Sequence, residues 1–339
     1  MVNTIRCVAI HDIRKNSDRL EVVLGPEFMR VNETTCRVVD GLNDIYTRRS
    51  SKAHGRFSDD TDNYPTSEYF DAYFQADGFG DFNTFTLHMM STLIAKARSV
   101  PNAGAGHVFF AHFERDGREF MLIAIVNERL GAMLTDAFAV EDVRHLDLEG
   151  FRFAGRVDMT SWRAGEDRYI GFLRGRGDVA EYFKEFLACV SSTTAKRSTE
   201  ELVTALRNYA DDQGMEVAKR DDFLARAKAT LDETARRGDL VDFQTLANVL
   251  VPSEPELLAE FLGDPDRRLG DGFSPNRRVL GTLVKFRART PLWSIEIDRA
   301  AIAEGAVVFD PENRTLTITQ VPNDFAEELR GEYEVHAED

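Results

Sequence analysis

Residues 169–191 constrain the fold most, because they place an apolar run, a basic glycine turn and an amphipathic segment side by side. The run at 169–173 predicts a buried strand, and Arg174-Gly-Arg-Gly177 predicts a turn. Apolar residues at the spacing of one helix face follow, namely Val179, Phe183, Phe186, Leu187 and Val190. With Asp178 at the N-cap position, the segment predicts a strand that turns directly into a helix.

Two roles fit Arg174 and Arg176 at this turn. Guanidinium groups beside glycine N–H groups at a helix N-terminus favour a phosphate, whereas solvated arginines at a tight corner need no ligand. The spacing Gly175-x-Gly177-x-x-Ala180 also matches a dinucleotide fingerprint, but no second strand with an acidic end follows about 20 residues later. A dinucleotide site is therefore rejected, and both roles of the arginines stay open.

The composition fits a folded protein without a membrane span. A length of 339 residues favours two domains, or one domain with a large helical appendage. No apolar run approaches the roughly 18 residues of a membrane span, and the first residues have neither a basic nor an apolar signal region. The expected location is the cytoplasm.

Net charge and cysteine content limit the partners and cofactors. The formal charge of −16 repels nucleic acid at long range, so DNA contact requires a segregated basic face. Cys7, Cys36 and Cys189 lie far apart and are odd in number. This pattern predicts core thiols and neither a disulfide framework nor a metal knuckle. No cofactor is expected.

The N-terminal part carries signals for strands and for helices. Its β-rich runs are residues 4–10, 20–24, 108–113, 120–126, 132–140 and 151–159. Asp116 and Gly117 predict a hairpin turn between the third and fourth of these runs. Asn32 and Asp81 are expected to cap helices. These patterns predict a sheet with helices packed against it.

Residues 58–81 combine many carboxylates with tyrosine and phenylalanine and contain no lysine or arginine. This composition indicates a surface that docks a partner protein. The spacing Asp59-Asp60-x-Asp62 lacks the glycine and the terminal glutamate of a calcium-binding loop, so no metal site is expected.

Beyond residue 192 the pattern changes to charged helix. Four successive helices are predicted, with breaks at Gly214, Gly238 and Pro252. Ser198 and Glu201 have the spacing of a capping box at the first of them. The glycine-rich residues 269–273 predict a flexible join to a second β unit.

The sign of the charge reverses after this helical part. Between residues 265 and 289, seven basic and two acidic residues give a local charge of +5. Lys285, Arg287 and Arg289 alternate on a predicted strand and therefore share one face. Such a face suits contact with phosphates, although surface arginines often only balance nearby carboxylates.

Together these patterns predict an α+β protein. The expected units are an α+β N-terminal domain that contains the sheet (1–192), a helical middle lobe (193–264) and a small C-terminal β unit (265–339). The common phosphate-loop, hydrolase and zinc signatures are absent. No lysine follows an acidic residue by two positions, as a restriction-type nuclease requires. The chain is therefore expected not to be an enzyme.

Several motifs of the chain are shared with a known family. They are Arg168-Tyr-Ile-Gly-Phe-Leu-Arg-Gly-Arg176 with Val179-Ala-Glu-Tyr-Phe183, Leu283-Val-Lys-Phe286, Ser294-Ile-Glu-Ile-Asp298, Val308-Phe-Asp-Pro311 and Thr315-Leu-Thr-Ile318. In these motifs the chain resembles the bacterial nucleoid-associated protein family of the NdpA/YejK type. It departs from the pattern after Phe286, where Arg287-Ala-Arg-Thr-Pro291 stands in place of an expected glycine-rich loop.

The resemblance implies a cytoplasmic, nucleoid-associated protein without established catalytic residues, which binds DNA without sequence specificity or binds DNA-bound partners. It also implies a type II topoisomerase as a partner, since members are linked to its modulation, and it leaves a homo-oligomer open. The alternatives are a protein-only adaptor that docks through residues 58–81 and, last, a metal-dependent nuclease. The residues expected to contact DNA are Arg174, Arg176, Lys285, Arg287 and Arg289.

Overall fold

The structure is a computed structural model that describes residues 3–16, 19–27, 29–98, 100, 105–151, 153–174, 178–190, 194–319 and 321–337. It confirms the predicted α+β class. An eight-stranded sheet lies in the N-terminal part, helices follow in the middle, and small hairpins lie in the C-terminal part.

The strands within these residues are β1 (Thr4–Asn16), β2 (Arg19–Val23), β3 (Lys52–Phe57), β4 (Phe74–Gln75), β5 (Gly78–Phe79), β6 (Gly106–Arg115), β7 (Arg118–Val126), β8 (Glu128–Leu134), β9 (Val140–Leu146), β10 (Phe153–Asp158), β11 (Ile170–Leu173), β12 (Cys189–Val190), β13 (Lys285–Arg289), β14 (Ser294–Asp298), β15 (Val307–Asp310) and β16 (Thr315–Ile318).

The helices are α1 (Glu33–Arg48), α2 (Thr66–Tyr73), α3 (Phe82–Ala97), α4 (Met159–Arg163), α5 (Asp178–Phe186), α6 (Ala195–Asp212), α7 (Val217–Arg237), α8 (Phe243–Leu250), α9 (Pro255–Gly263), α10 (Arg277–Leu280), α11 (Arg299–Ala303) and α12 (Asn323–Ala337).

The eight-stranded sheet has the order β12-β3-β11-β10-β7-β6-β1-β2, and neighbouring strands run antiparallel. Strands β6 and β7 form the predicted hairpin, and Asp116 and Gly117 at its turn have φ values of 54° and 74°. A two-residue type I′ turn requires positive φ at both positions, which explains the Asp-Gly pair.

Helices cover both faces of this sheet. Met121 and Ile123 of β7 belong to a core that also contains residues of α3 and α5. Leu122 and Ala124 belong to a core on the opposite face, which also contains residues of α1. Because both faces are buried, β6 and β7 are continuous apolar runs without polar alternation.

The strand-to-helix corner at 169–191 is confirmed in its elements, β11 and α5. Phe183, Phe186 and Leu187 are buried in the core, as their spacing predicts. The prediction that Val190 continues this helix face is wrong. Ala188 has a φ of 51°, which ends the helix, and Val190 pairs with Arg56 as part of β12.

Two other local predictions are wrong. One strand was expected at 132–140. These residues instead form the end of β8, the turn and the start of β9 in a separate hairpin. Within the turn, Thr135 N donates to Ala139 O at 2.9 Å. The capping box expected at Ser198 is replaced by Thr194, whose hydroxyl accepts from Arg197 N at 3.3 Å, so Ser198 lies inside α6. In both places the turn or cap lies a few residues away from the strongest sequence signal.

Helices α6–α9 are the four predicted helices, and they share a core of their own with Leu269, Val279, Leu280 and Leu283. Residues 269–273 are therefore held in place and are not the flexible join that the sequence predicted. Asp271 N donates to Lys52 O at 3.2 Å, and Gly272 N donates to Val241 O at 2.7 Å. These residues join the sheet to the helical part by hydrogen bonds. The division of the chain at residues 192 and 264 stays a prediction.

Replacing Asn32 by alanine is expected to destabilise the protein by about 1 kcal/mol. Its side-chain oxygen caps α1 by accepting from Thr35 N at 2.9 Å. The check is the urea midpoint at unchanged slope. The matched control is Glu254→Ala, because Glu254 stands at the N-cap position of α9 but makes no side-chain cap hydrogen bond. Equal losses in the two variants would contradict this role of Asn32.

Candidate functional site

The basic strand predicted at Lys285, Arg287 and Arg289 forms, as β13, and pairs with β14. The register places Lys285 opposite Asp298, Arg287 opposite Glu296 and Arg289 opposite Ser294. Directly opposed residues of two strands project from the same face. Two carboxylates thus share the face with three cations, and the charge of this face is only +1.

Ion pairing differs among the three cations. Lys285 Nζ lies 2.6 Å from Glu296 Oε1 and 3.9 Å from Asp298 Oδ2. Of Arg287 the structure describes the backbone alone. Arg289 is exposed, and no ion pair joins it to a carboxylate among the described residues. Of the two cations on this face whose side chains the structure describes, Arg289 is therefore the more available to a phosphate.

Exposed apolar side chains lie on the same hairpin. Leu292 is 94 % exposed and Trp293 is 52 % exposed, both at the tip of the β13–β14 hairpin. Phe286 is half-exposed, and Arg299 Cζ lies 4.4 Å from the centre of its ring. Aromatic rings next to cations are the combination on which single-stranded bases stack.

Arg174, also predicted to contact DNA, binds Asp271 in the join between the sheet and the helices. Its Nη1 donates to Asp271 O at 2.7 Å and lies 3.5 Å from Asp271 Oδ1. Gly272 has a φ of 69°, and a Cβ there would overlap the Arg174 guanidinium. These contacts account for Arg174 without a ligand. Arg176 lies outside the described residues, and an anion site at this turn stays a prediction.

The aromatic rings of residues 58–81 serve the protein core. Phe70 and Tyr73 are fully buried, while Tyr64, Tyr69 and Phe74 pack against the same core at its edge. Phe79, at 46 % exposed, is the large apolar side chain of this segment that reaches solvent. The carboxylates of the segment remain on the surface, but the aromatic part of the expected docking surface is largely absent.

A polar cleft that the sequence did not predict lies between the sheet, α1 and residues 265–268, which precede the join at 269–273. We call it the arginine cleft. Its lining residues are Tyr46, His54, Arg118, Arg156, Asp158, Arg168, Tyr169, Gly171, Pro265, Asp266 and Arg268.

The floor of the arginine cleft is a row across three strands. The register places His54 of β3 opposite Gly171 of β11, and Gly171 opposite Arg156 of β10. A Cβ at Gly171 would lie 2.5 Å from Tyr46 Oη and 3.0 Å from His54 Cε1. The glycine therefore makes room for Tyr46 Oη and the His54 ring to pack closely on β11. An isolated glycine inside an apolar strand was the one sequence signal for such a close approach.

Three of the four arginines in the cleft have close carboxylate partners. Asp158 accepts from Arg118 and from Arg268, with 3.4 Å between Arg268 Nη2 and Asp158 Oδ2. Arg168 makes two hydrogen bonds to Glu201, of 2.7 and 2.8 Å. These pairs fix the walls of the cleft.

Arg156 is the least compensated arginine. It is 7 % exposed, donates to Asn43 Oδ1 at 3.3 Å, and lies 3.5 Å from Asp266 Oδ1 on an exposed side chain. Burial lowers the pKa of Arg156. Burial, followed by the nearby cations, also lowers the pKa of His54 to about 3, so its imidazole is neutral at physiological pH.

Lys52, next to this cleft on β3, is fully buried. Its Nζ donates to Thr47 O at 3.0 Å, to Gly263 O at 2.7 Å and to Arg49 O. Burial lowers the pKa of Lys52 to about 7. These hydrogen bonds tie α1 and α9 to the sheet.

Within the described ranges, no group of three or more His, Cys, Asp or Glu side chains is placed to hold a metal ion. None of the described helices combines the length and the apolar character that crossing a membrane requires. Cys7, Cys36 and Cys189 are unpaired; Cys189 is buried, and the other two are partly buried.

The fold and these sites define an α+β protein with an antiparallel sheet, a helical part and a basic C-terminal hairpin. The family model described as nucleoid-associated protein YejK matches residues 9–326, so the chain belongs to this family of nucleoid-associated proteins.

Two relatives show how far the similarity extends. A nucleoid-associated protein of Azotobacter vinelandii is 26 % identical over 332 residues, which cover 96 % of this chain and 98 % of the relative. Nucleoid-associated protein YejK of Escherichia coli O1:K1 is 24 % identical over 331 residues, which cover 96 % of this chain and 97 % of the relative. The similarity thus includes the sheet, the helices and the C-terminal hairpins.

Proposed function

We propose that this protein acts in the bacterial nucleoid, in the cytoplasm, as a non-enzymatic protein that binds DNA or DNA-bound partners without sequence specificity. The observation that carries the proposal is the family match over residues 9–326. The segregated basic segment supports it, because a chain with a net charge of −16 needs such a segment to approach phosphates.

The proposed contact surface is the β13–β14 hairpin, where Lys285, Arg287 and Arg289 share one face and where Arg289 has no carboxylate partner among the described residues. Since the register adds Glu296 and Asp298 to the same face, the attraction to DNA is local and weak. Arg174 and Arg176 are proposed as a second contact at the corner before α5. Contacts of this kind neutralise phosphates and do not distinguish bases.

Replacing Lys285, Arg287 and Arg289 together by glutamine is expected to weaken binding to duplex DNA of any sequence and to flatten its salt dependence. A plot of log affinity against log salt has a negative slope. The slope becomes shallower by about 0.9 for each phosphate that the protein no longer neutralises, and hence by about 2.7 for three. Fluorescence anisotropy over a series of salt concentrations measures both quantities.

The control variant removes three positive charges elsewhere, at Lys196, Arg226 and Arg237, which are exposed and paired along their own helices. If both triple variants bind DNA alike, the hairpin is not the contact surface. If the wild-type chain binds no duplex DNA even at low salt, direct DNA binding is wrong and the protein-only adaptor is favoured.

A type II topoisomerase is proposed as the protein partner. The β8–β9 hairpin offers a surface for such a contact, because Leu130, Leu134, Phe138 and Val140 are each more than half exposed. Co-purification of the topoisomerase with the wild-type chain, and its absence with Phe138→Ser, tests this partner. Light scattering in the same experiment shows whether the apolar hairpin instead joins copies of the chain into a homo-oligomer. Incubation of a plasmid with Mg²⁺ or Mn²⁺ tests the nuclease alternative.

A further inference from the structure

We propose that the arginine cleft binds an oxyanion of phosphate size, presented either by a small molecule or by the end of a polynucleotide. Arg156 is its central cation, and Tyr46 and His54 are its hydrogen-bond donors. This site is separate from the β13–β14 hairpin and does not depend on DNA binding there.

The first support is the burial of a charge without an adequate partner. The Arg156 side chain is surrounded by the sheet, Tyr46 and Phe120, with its Cζ 5.5 and 4.7 Å from the centres of the two rings. Among the described residues its ion-pair partner is Asp266, at 3.5 Å, and the Asp266 side chain is 66 % exposed. A buried cation is strongly unfavourable unless an anion and hydrogen bonds compensate it. A bound oxyanion supplies both.

The second support is two polar atoms of the residues that line this cleft, both buried and without a partner within the described ranges. Among the described residues, neither Tyr46 Oη nor His54 Nε2 has a hydrogen-bond partner, although Tyr46 is 0 % and His54 is 8 % exposed. An unsatisfied buried group costs about 1–3 kcal/mol, so native structures rarely retain one without a ligand, ion or water. Two such groups on one cleft indicate a shared acceptor.

The protonation states suit an anion. Burial raises the pKa of Tyr46 to about 12, so its hydroxyl keeps its proton. The imidazole of His54 is neutral for the reason given above, and its Nε2–H tautomer keeps a proton that an anion can accept a hydrogen bond from. An oxyanion accepts hydrogen bonds from both groups and from the Arg156 guanidinium at once. A single water molecule satisfies fewer of these donors.

The shape of the cleft limits the ligand. Its enclosed volume is about 20 Å³, far below the roughly 300–1,000 Å³ of pockets for drug-sized molecules. The glycine at 171 lets Tyr46 Oη and His54 lie close to the floor beside Arg156. The carboxylate of Asp266 occupies a position at Arg156 that an incoming anion takes, and its exposed side chain can turn to solvent. Once that carboxylate has turned away, the site admits one small anionic group, and the rest of the ligand stays outside.

Sodium phosphate is expected to raise the melting temperature of the full chain above its value in sodium chloride of equal ionic strength. At a concentration about 100 times Kd, the expected rise is about 4 °C. Competition with a nucleoside monophosphate, and with duplex DNA carrying 5′-phosphate or 5′-hydroxyl ends, identifies the source of the phosphate group. A preference for the 5′-phosphate duplex indicates a polynucleotide end, and a preference for the nucleotide indicates a small molecule.

Tyr46→Phe is the sharpest variant, because it removes one hydroxyl and keeps the ring. Loss of a hydrogen bond to a charged group is expected to weaken phosphate binding roughly 10- to 100-fold. The melting temperature without phosphate should not fall, since this hydroxyl has no partner to lose. The matched control is Tyr209→Phe, which alters a buried tyrosine of the helical core.

Gly171→Ala places a methyl group against Tyr46 Oη and the His54 ring, and the displacement of these donors is expected to reduce phosphate binding as well. Arg156→Gln removes the central cation; if this variant does not fold, Tyr46→Phe still decides the question. The proposal is overturned if phosphate gives no rise beyond that of chloride. It is also overturned if Tyr46→Phe and Tyr209→Phe respond to phosphate as the wild type does.

Discussion

Replacing Asp158 by alanine is expected to destabilise the protein by about 2–4 kcal/mol, because it removes the carboxylate partner of two partly buried arginines and the cap of α4. Asp158 is 6 % exposed and accepts hydrogen bonds from Arg118 and Arg268. It also caps α4 by accepting from Ser161 N at 2.9 Å. Its loss would place four arginines around one cleft with less negative charge to hold them.

Urea unfolding measures the effect, and two further variants separate its causes. Asp158→Asn keeps an oxygen for the α4 cap and should recover about 1 kcal/mol. Asp298→Ala is the control, because Asp298 also stands at a helix N-cap position but is exposed and makes no cap hydrogen bond. Its effect should stay within about 0.5 kcal/mol. Similar small losses at both positions would show that Asp158 does not hold the arginines.

Replacing Asp271 by asparagine is expected to stabilise the protein at neutral pH and to have no effect near pH 4. Burial raises the pKa of Asp271 from 3.8 to about 6. The folded state therefore holds this proton more tightly than the unfolded state does. The resulting stability is fully present below pH 3.8 and is lost as the pH rises through about 6. Two pKa units correspond to roughly 3 kcal/mol.

Asparagine resembles the protonated carboxyl, so the variant avoids this loss and should be more stable by about 3 kcal/mol at pH 7–8. The hydrogen bond from Arg174 is retained, because it reaches the backbone oxygen of residue 271. Melting curves of both proteins from pH 4 to pH 8 make the comparison.

Asp310→Asn provides a control of opposite sign. The Asn313 side chain donates to Asp310 Oδ2 at 2.7 Å, and this hydrogen bond lowers the pKa of Asp310. Its contribution is therefore present above the unfolded pKa and is lost on acidification. An Asp271→Asn difference that did not change with pH would disprove the assigned role of burial.

Local patterns in the sequence predicted most of the elements correctly. The Asp-Gly turn of β6–β7, the caps at Asn32 and Asp81 and the four helices after residue 192 all depend on neighbouring residues. The α+β class follows from their order. The errors at Val190 and Ser198 are also local. The first depends on the backbone angle of Ala188 and the second on the competing cap at Thr194, and hydrophobic periodicity indicates neither.

The sites were harder to predict, because they depend on partners distant in the sequence. Counting charges between 265 and 289 did not include Glu296 and Asp298, which the register places on the same face. The arginine cleft brings together Tyr46, Arg156 and Arg268 from three distant parts of the chain. Their side chains are ordinary polar residues when read singly, and only the packing of α1 and of residues 265–268 against the sheet makes them neighbours.

The Lys52 hydrogen bonds have a consequence for how the chain can be divided. Lys52 Nζ donates to Gly263 O, which lies 211 residues away, and the Lys52 backbone oxygen accepts from Asp271 N. A fragment that stopped after the sheet would lack both partners and would expose an amine that the whole protein encloses. We therefore expect the sheet and the helices to unfold in one cooperative transition, so that neither survives excision with its native stability.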